Sequence, residues 1–149
     1  MIIFDCESDG LLDEATKIWI YGWTHDGKEF HTTTDPNEFY GVLDKEYHAG
    51  CHNSFRFDFP LFKKIHGYTY RGIKIDTLFL SWYLYPNRPK HGLGSFGPNF
   101  GFEKVAVGDD AWKTGDIDLM RSRVIEDVKI NWALWSKQKK DLEALYGKD

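Results

Sequence analysis

The sequence is poor in cysteine and carries no excess of positive charge, and each shortage excludes a class of protein. Cys6 and Cys51 are the only cysteines in 149 residues, and neither has a second cysteine two positions away, so a disulfide framework and a zinc knuckle are both excluded. A reducing, cytoplasmic setting follows as the expectation. No run approaches the roughly 18 apolar residues of a membrane span, and Met1 leads straight into an apolar stretch with no basic leader, so no membrane partner is expected. Net charge is −4, which rules out a protein that grips nucleic acid by a global basic field. If the chain handles DNA or RNA, metal ions or a local basic patch must offset its acids. Internal repeats, linkers and low-complexity segments are also missing. What is present is 42% hydrophobic and 17% aromatic residues in a length that fits one domain, residues 1–149.

Met1 to Glu7 is an apolar run closing in two acids, the pattern of a buried strand whose end meets a site. Lys17 to Thr24 is β-branched and aromatic, and Asp26-Gly27 leads into Glu29 to Thr33, which predicts a hairpin. Asp35-Pro36 caps a helix running to about Lys45, with Glu38 three residues after the cap. Tyr47 to Asn53 predicts a strand, Phe59 to His66 a helix closed by Gly67, and Ile73 to Thr77 a strand entering a helix that stops at Pro86. Residues 87–115 predict short helix and irregular connections. From about Asp116, Met120, Val124, Val128 and Trp135 recur at helical spacing and mark an amphipathic helix. The whole is an α/β chain, a mixed sheet with helices packed on it.

Several acids stand where chemistry is conceivable. Asp5 and Glu7 alternate along a strand and project to one side, where two buried carboxylates need a cation or a proton; otherwise the strand ends there in solvent. Mg2+ or Mn2+, which prefer carboxylate oxygens, would resolve the conflict. Asp58, set among Phe55, Phe57 and Phe59 before a helix, reads as an N-cap, a metal ligand or both. Asp127 borders the inward stripe of Val124 and Val128 and needs a partner, either a cation or Arg123 one turn earlier. Asp76 reads mainly as an N-cap.

Together these residues resemble a family. Asp5-Cys-Glu7-Ser-Asp-Gly-Leu11-Leu12, His52-Asn53 through Phe57-Asp58-x-Pro60, and Val124-Ile-Glu-Asp127-Val-Lys-Ile-Asn131 resemble, in order, the three motifs of DEDD 3′-to-5′ exonucleases. The likeness extends to Thr16-Lys17 and to Ile75 through Ser81, reaches from residue 1 to about 136, and is to the proofreading domains of phage family A DNA polymerases. It implies a ribonuclease-H-like fold with a mixed five-stranded sheet, and two Mg2+ or Mn2+ ions held by Asp5, Glu7, Asp58 and Asp127 as catalytic residues. It also implies release of nucleoside monophosphates from a single-stranded 3′ end, DNA first and RNA as the alternative. Leu11 would wedge beside the terminal base, and His52, Asn53, Phe57, Ser122 and Arg123 would contact the strand, core packing being the other reading of Phe57.

One departure stands out. The family places a Tyr four residues, or a His five residues, before its last Asp, whereas this chain has Arg123 and Ser122 there. Arg stays protonated and Ser is a weak acid, so metal-dependent activity of reduced strength is expected. Either the metal activates the water with Ser122 hydrogen-bonding it, or His91 moves in, or the chain is catalytically weak. The cations are scattered (Arg56, Lys63, Lys64, Arg121, Arg123 and Lys129), with Arg88 to His91 the expected phosphate contact. A free-standing enzyme, in the host cytoplasm if a phage encodes it and with a separate polymerase as partner, is the expectation. A non-catalytic binding module of the same fold and an endonuclease are the alternatives.

Overall fold

The computed structural model describes residues 1–102 and 115–147. At its centre is β1 (Ile2–Ser8), whose alternating side chains face two different layers. Its antiparallel neighbour is β2 (Ile18–Thr24), and β2 pairs in turn with the short β3 (His31–Thr33). The turn into β3 is tied by Asp26, whose carboxylate accepts from the amides of Lys28 and Glu29 at 2.8 and 3.0 Å. On the other side of β1 lie β4 (His48–Cys51) and β5 (Ile73–Asp76), both parallel, so the strand order is β3-β2-β1-β4-β5. This is the mixed five-stranded sheet expected from the sequence.

Among the described residues four helices accompany the strands, and a fifth follows from residue 117. The first, α1 (Pro36–Asp44), starts where Asp35 accepts from the Asn37 amide at 2.9 Å. Glu38 takes the Thr33 hydroxyl at 2.6 Å. Next, α2 (Phe59–His66) ends at Gly67, whose left-handed backbone (φ 66°) turns the chain at little cost. Asp76 caps α3 (Thr77–Leu84), which stops ahead of Pro86. The stretch after Pro86 holds the four-residue α4 (Leu93–Phe96) and a 3₁₀ turn, Gly97–Phe100, as its composition suggested, while the part of that reading over 103–114 lies outside the described residues. The last helix, α5 (Ile117–Tyr146), begins at Asp116, which accepts from the Leu119 amide.

The sheet is packed on both faces. Ile2, Phe4 and Cys6 of β1, with Tyr21 and Trp23 of β2, meet Phe39, Leu43, Leu61 and Phe62 from α1 and α2. This layer absorbs many of the aromatics: Phe4 stands edge-on to Phe39 and Phe59 at 5.5 and 5.6 Å, and Tyr21 stacks on Phe39 at 4.5 Å. On the opposite face Ile3 and Ile20 meet Met120, Val124 and Val128 of α5. Helix and sheet approach closely at Gly22, where a Cβ would fall 2.1 Å from Val124 Cγ1. Gly22 pairs with Asp5 across the β1–β2 ladder, so this close approach sets α5 directly over the acidic end of β1.

Candidate metal and nucleic-acid site

The parallel ladder between β1 and β4 covers only Ile2–Ala49 and Ile3–Gly50, after which the two strands part. Clefts at the carboxyl ends of diverging strands are where open α/β sheets place their ligands. Asp5 and Glu7 leave β1 there on the α5 face, and Asp127 descends from α5 to meet them. Carboxylate oxygens of these three residues all lie within 4.8 Å of one another. Burial pushes the Asp5 carboxyl well above its ordinary range, and the charges of Asp127, Glu7 and Asp58 push it further. Asp5 Oδ2 is buried with no hydrogen-bond partner. An orphaned acceptor among three crowded carboxylates fits a hard divalent cation, and no other such cluster occurs among the described residues.

Asp58 stands apart from that triad. It does not cap α2, as one of its sequence readings had it: its backbone is already helical, at the end of a π-helical turn over Ser54–Asp58, and its side chain makes no cap bond. The carboxylate instead accepts from two thiols, Cys51 Sγ at 2.9 Å and Cys6 Sγ at 3.2 Å. Burial pushes Asp58 up to about 6, against the pull of the Cys51 and Cys6 donors, and burial likewise raises both thiols so that they keep the protons they donate. The cysteines are buried strand residues as expected, but they also hold an acid in place. Strand alternation places Cys6 on the face opposite Asp5 and Glu7 but carries no sign of its contact with Asp58. The π-helical turn had no signal in the sequence; such turns concentrate at functional sites.

Around the turn, Asp76 acts as a hub. It accepts from the amides of Leu78 and Phe79 at the start of α3, as its N-cap reading required, and also from those of Asn53 and Phe55. Asn53 takes a left-handed backbone (φ 67°) to enter the turn, and its Oδ1 accepts from Arg56 Nε at 3.1 Å. His52 is tied at both ring nitrogens: Nε2 lies 2.7 Å from the His91 carbonyl and Nδ1 2.9 Å from the Thr77 hydroxyl. A carbonyl only accepts, so Nε2 carries a proton. Thr77 Oγ1 in turn accepts from Asn131 Nδ2 at 2.7 Å, one turn beyond Asp127 on α5. A continuous chain from Asn131 through Thr77 and His52 to residue 91 thus locks α5, α3 and the motif loop together.

The remaining expected contacts divide. Leu11 is 75% exposed at the turn after β1, and Lys64 Nζ steadies that turn by donating to the carbonyls of Leu12 and Asp13. Phe57 is partly buried and packs against the α1/α2 core, as its packing reading had it. Ser122 is exposed and donates to the Asp118 carbonyl at 3.3 Å. Arg123 Nε lies 3.6 Å from Asp127 Oδ2, the ion pair foreseen from their spacing. His91 Nδ1 is 2.6 Å from Ser81 Oγ. In the Arg88 to His91 stretch expected to contact phosphate, the Arg88 guanidinium lies 3.9 Å from the Phe96 ring and donates to the carbonyls of Lys90 and Ser95, and Lys90 is exposed.

The architecture is the ribonuclease-H-like fold. No family model matches the chain, and no curated protein does. Solved structures do: NrnC from Brucella melitensis bound to pGG superposes with a TM-score of 0.78 at 16% identity, over 98% of this chain and 74% of that one. The same protein with bound Mg2+ gives 0.74 at 17% identity, over 99% and 75%. A family B DNA polymerase from the archaeon Pyrobaculum calidifontis gives 0.66 at 16% identity, over 91% of this chain and 24% of the polymerase. This polymerase likeness is to a family B enzyme, whereas the likeness to phage family A polymerases comes from the motifs. No helix among the described residues is long and apolar enough to cross a membrane.

Proposed function

We propose that the chain is a metal-dependent 3′-to-5′ exonuclease that hydrolyses phosphodiester bonds at a single-stranded 3′ end and releases nucleoside monophosphates. The observation that carries this reading is the convergence of the Asp5, Glu7 and Asp127 carboxylates within 4.8 Å of one another. These three would hold Mg2+ or Mn2+, with Asp58, whose charge reaches Asp5, as the fourth expected ligand. A pair of such ions supplies activation of the attacking water and neutralises charge on the scissile phosphate and the departing 3′ oxygen. The chain's own part is positional. Asp58 is fixed by two thiols, the Asn131–Thr77–His52 chain keeps α5 in register, and Leu11 offers an exposed apolar face to the terminal base. The NrnC structures with Mg2+ and with pGG, an oligonucleotide, support a nucleic-acid substrate by analogy of fold.

One observation favours a second reading, a binding module of the same fold without turnover. Arg123, where the resembled family has Tyr, pairs with Asp127 and does not serve as a base. A 5′-labelled single strand incubated with Mg2+ separates the two. Stepwise shortening from the 3′ end, abolished by Asp127→Ala and by Asp58→Ala, supports the exonuclease. Binding without cleavage supports the module, and internal cuts support an endonuclease.

A further inference from the structure

Beside the π-helical turn that delivers Asp58 lies a cleft of about 400 Å³ that the acidic site does not use. Its floor is the parallel pair Phe59 and Tyr70, with ring centroids 5.7 Å apart and planes 9° apart. Its walls carry Phe55, Pro60, Lys63 and Lys74, and no acidic side chain lines it among the described residues. Lys74 Nζ sits 5.3 Å from the Phe59 ring, and Lys63 Nζ donates to Thr69 Oγ1 at 3.3 Å, so both ammonium groups are held at the cleft.

The aromatic surface continues beyond the cleft. Phe55, 42% exposed, stands edge-on to Phe79 at 5.0 Å, and Phe79 leads to Trp82, also 42% exposed, at 5.1 Å. The Arg56 guanidinium lies 5.6 Å from the Phe79 ring and 5.1 Å from Trp82. Exposed rings interleaved with cations, on a chain whose net charge is −4, make a local exception to the overall charge. Flat apolar faces with flanking positive charge match one chemistry well: unpaired bases that stack, joined by phosphates that pair with the cations. An acidic peptide would use the lysines but leave the rings unmatched.

We infer that this cleft and the Phe55–Phe79–Trp82 platform bind the single-stranded nucleic acid upstream of the 3′ end, several nucleotides from the bond that is cut. The inference rests on the nuclease reading for its choice of strand. The link between the two sites is covalent and short, because Phe55 and Arg56 belong to the turn that ends in Asp58, and the Phe55 amide is fixed on Asp76. Phe55 and Arg56 thus share one turn with Asp58, which ties the platform to the acidic residues. Affinity should grow with length until the cleft is filled.

The test is fluorescence anisotropy with labelled oligodeoxythymidylates of two to eight nucleotides in EDTA, where cleavage does not interfere. Wild type should bind the eight-mer about 10- to 100-fold more tightly than the two-mer, with affinity falling as salt rises. Lys63→Glu with Lys74→Glu should remove most of that length dependence and flatten the salt slope. Phe55→Ala should weaken the eight-mer about tenfold with little change in slope, and checks the cleft without altering its charge. Lys139→Glu with Lys140→Glu, the same charge change on α5, should not alter eight-mer binding. Wild-type affinity independent of length, a Lys63/Lys74 variant that binds like wild type, or an equal loss from Lys139/Lys140 would overturn the inference. Absence of Mg2+-dependent hydrolysis with length-dependent binding intact would sink the nuclease reading instead.

Discussion

Without a cation, the acidic centre should make the protein less stable as pH rises, and Asp58 allows the size of the effect to be worked out. Burial moves its carboxyl from an ordinary 3.8 to about 6, so the fold favours the protonated form. That stabilisation is complete below pH about 4 and is lost as pH climbs through 6, when a charge forms in a buried place. The rise is worth about 3 kcal/mol at neutral pH, or roughly 10 °C in Tm for a domain of this size. Asp5, raised for the same reason, adds in the same direction. Asp58→Asn keeps the shape and an acceptor oxygen but does not ionise. Thermal unfolding followed by circular dichroism between pH 4 and 7.5 in EDTA should show wild type losing stability relative to Asp58→Asn across that window. Mg2+ at pH 7 should restore wild type far more than the variant. Parallel curves for the two proteins in EDTA would refute the claim that Asp58 is charged at a cost.

Two further substitutions probe how the centre is built. Removing one thiol donor, as in Cys51→Ala or Cys6→Ala, should lower the Mg2+-dependent rate about tenfold, in line with about 1–1.5 kcal/mol for a hydrogen bond to a buried carboxylate. Serine at either position keeps a donor and should stay within about threefold of wild type in the same assay. Gly22→Ala would drive a methyl into Val124 and lift α5 from β2, costing about 2–3 kcal/mol in urea unfolding. Val124→Ala in the same chain should recover part of that loss by clearing the space, and failure to do so would disconnect Gly22 from the helix approach.

Much of this arrangement was legible before any coordinates. Strand alternation put Asp5 and Glu7 on one face, and helical spacing put Asp127 beside the stripe of Val124 and Val128 that packs on it. Capping chemistry placed α1 and α3 within a residue of their starts, because Asp35 and Asp76 accept nearby amides and leave a local trace. Asp58 stood out in the sequence as a charge among aromatics, but its surroundings did not. Its partners lie 7 and 52 residues away, and its turn is a π-helix that no side-chain pattern announces. The partners of His52 were hidden for the same reason, since they are a carbonyl and a hydroxyl 39 and 25 residues away. The aromatic platform escaped because Phe55, Phe79 and Trp82 come from two separate segments whose junction only the fold creates.

If Asp5, Glu7 and Asp127 form a binding centre for a hard divalent cation, the protein takes up Mn2+ in solution. Titration of Mn2+ into the protein, followed by the loss of the free-ion electron paramagnetic resonance signal, measures this without reference to any substrate. Saturable Mn2+ binding is expected, competed away by Mg2+ and weakened at least about tenfold by Asp5→Ala or Asp127→Ala. Wild-type protein that leaves the free-ion signal unchanged, or alanine variants that bind Mn2+ as tightly as wild type, would contradict it.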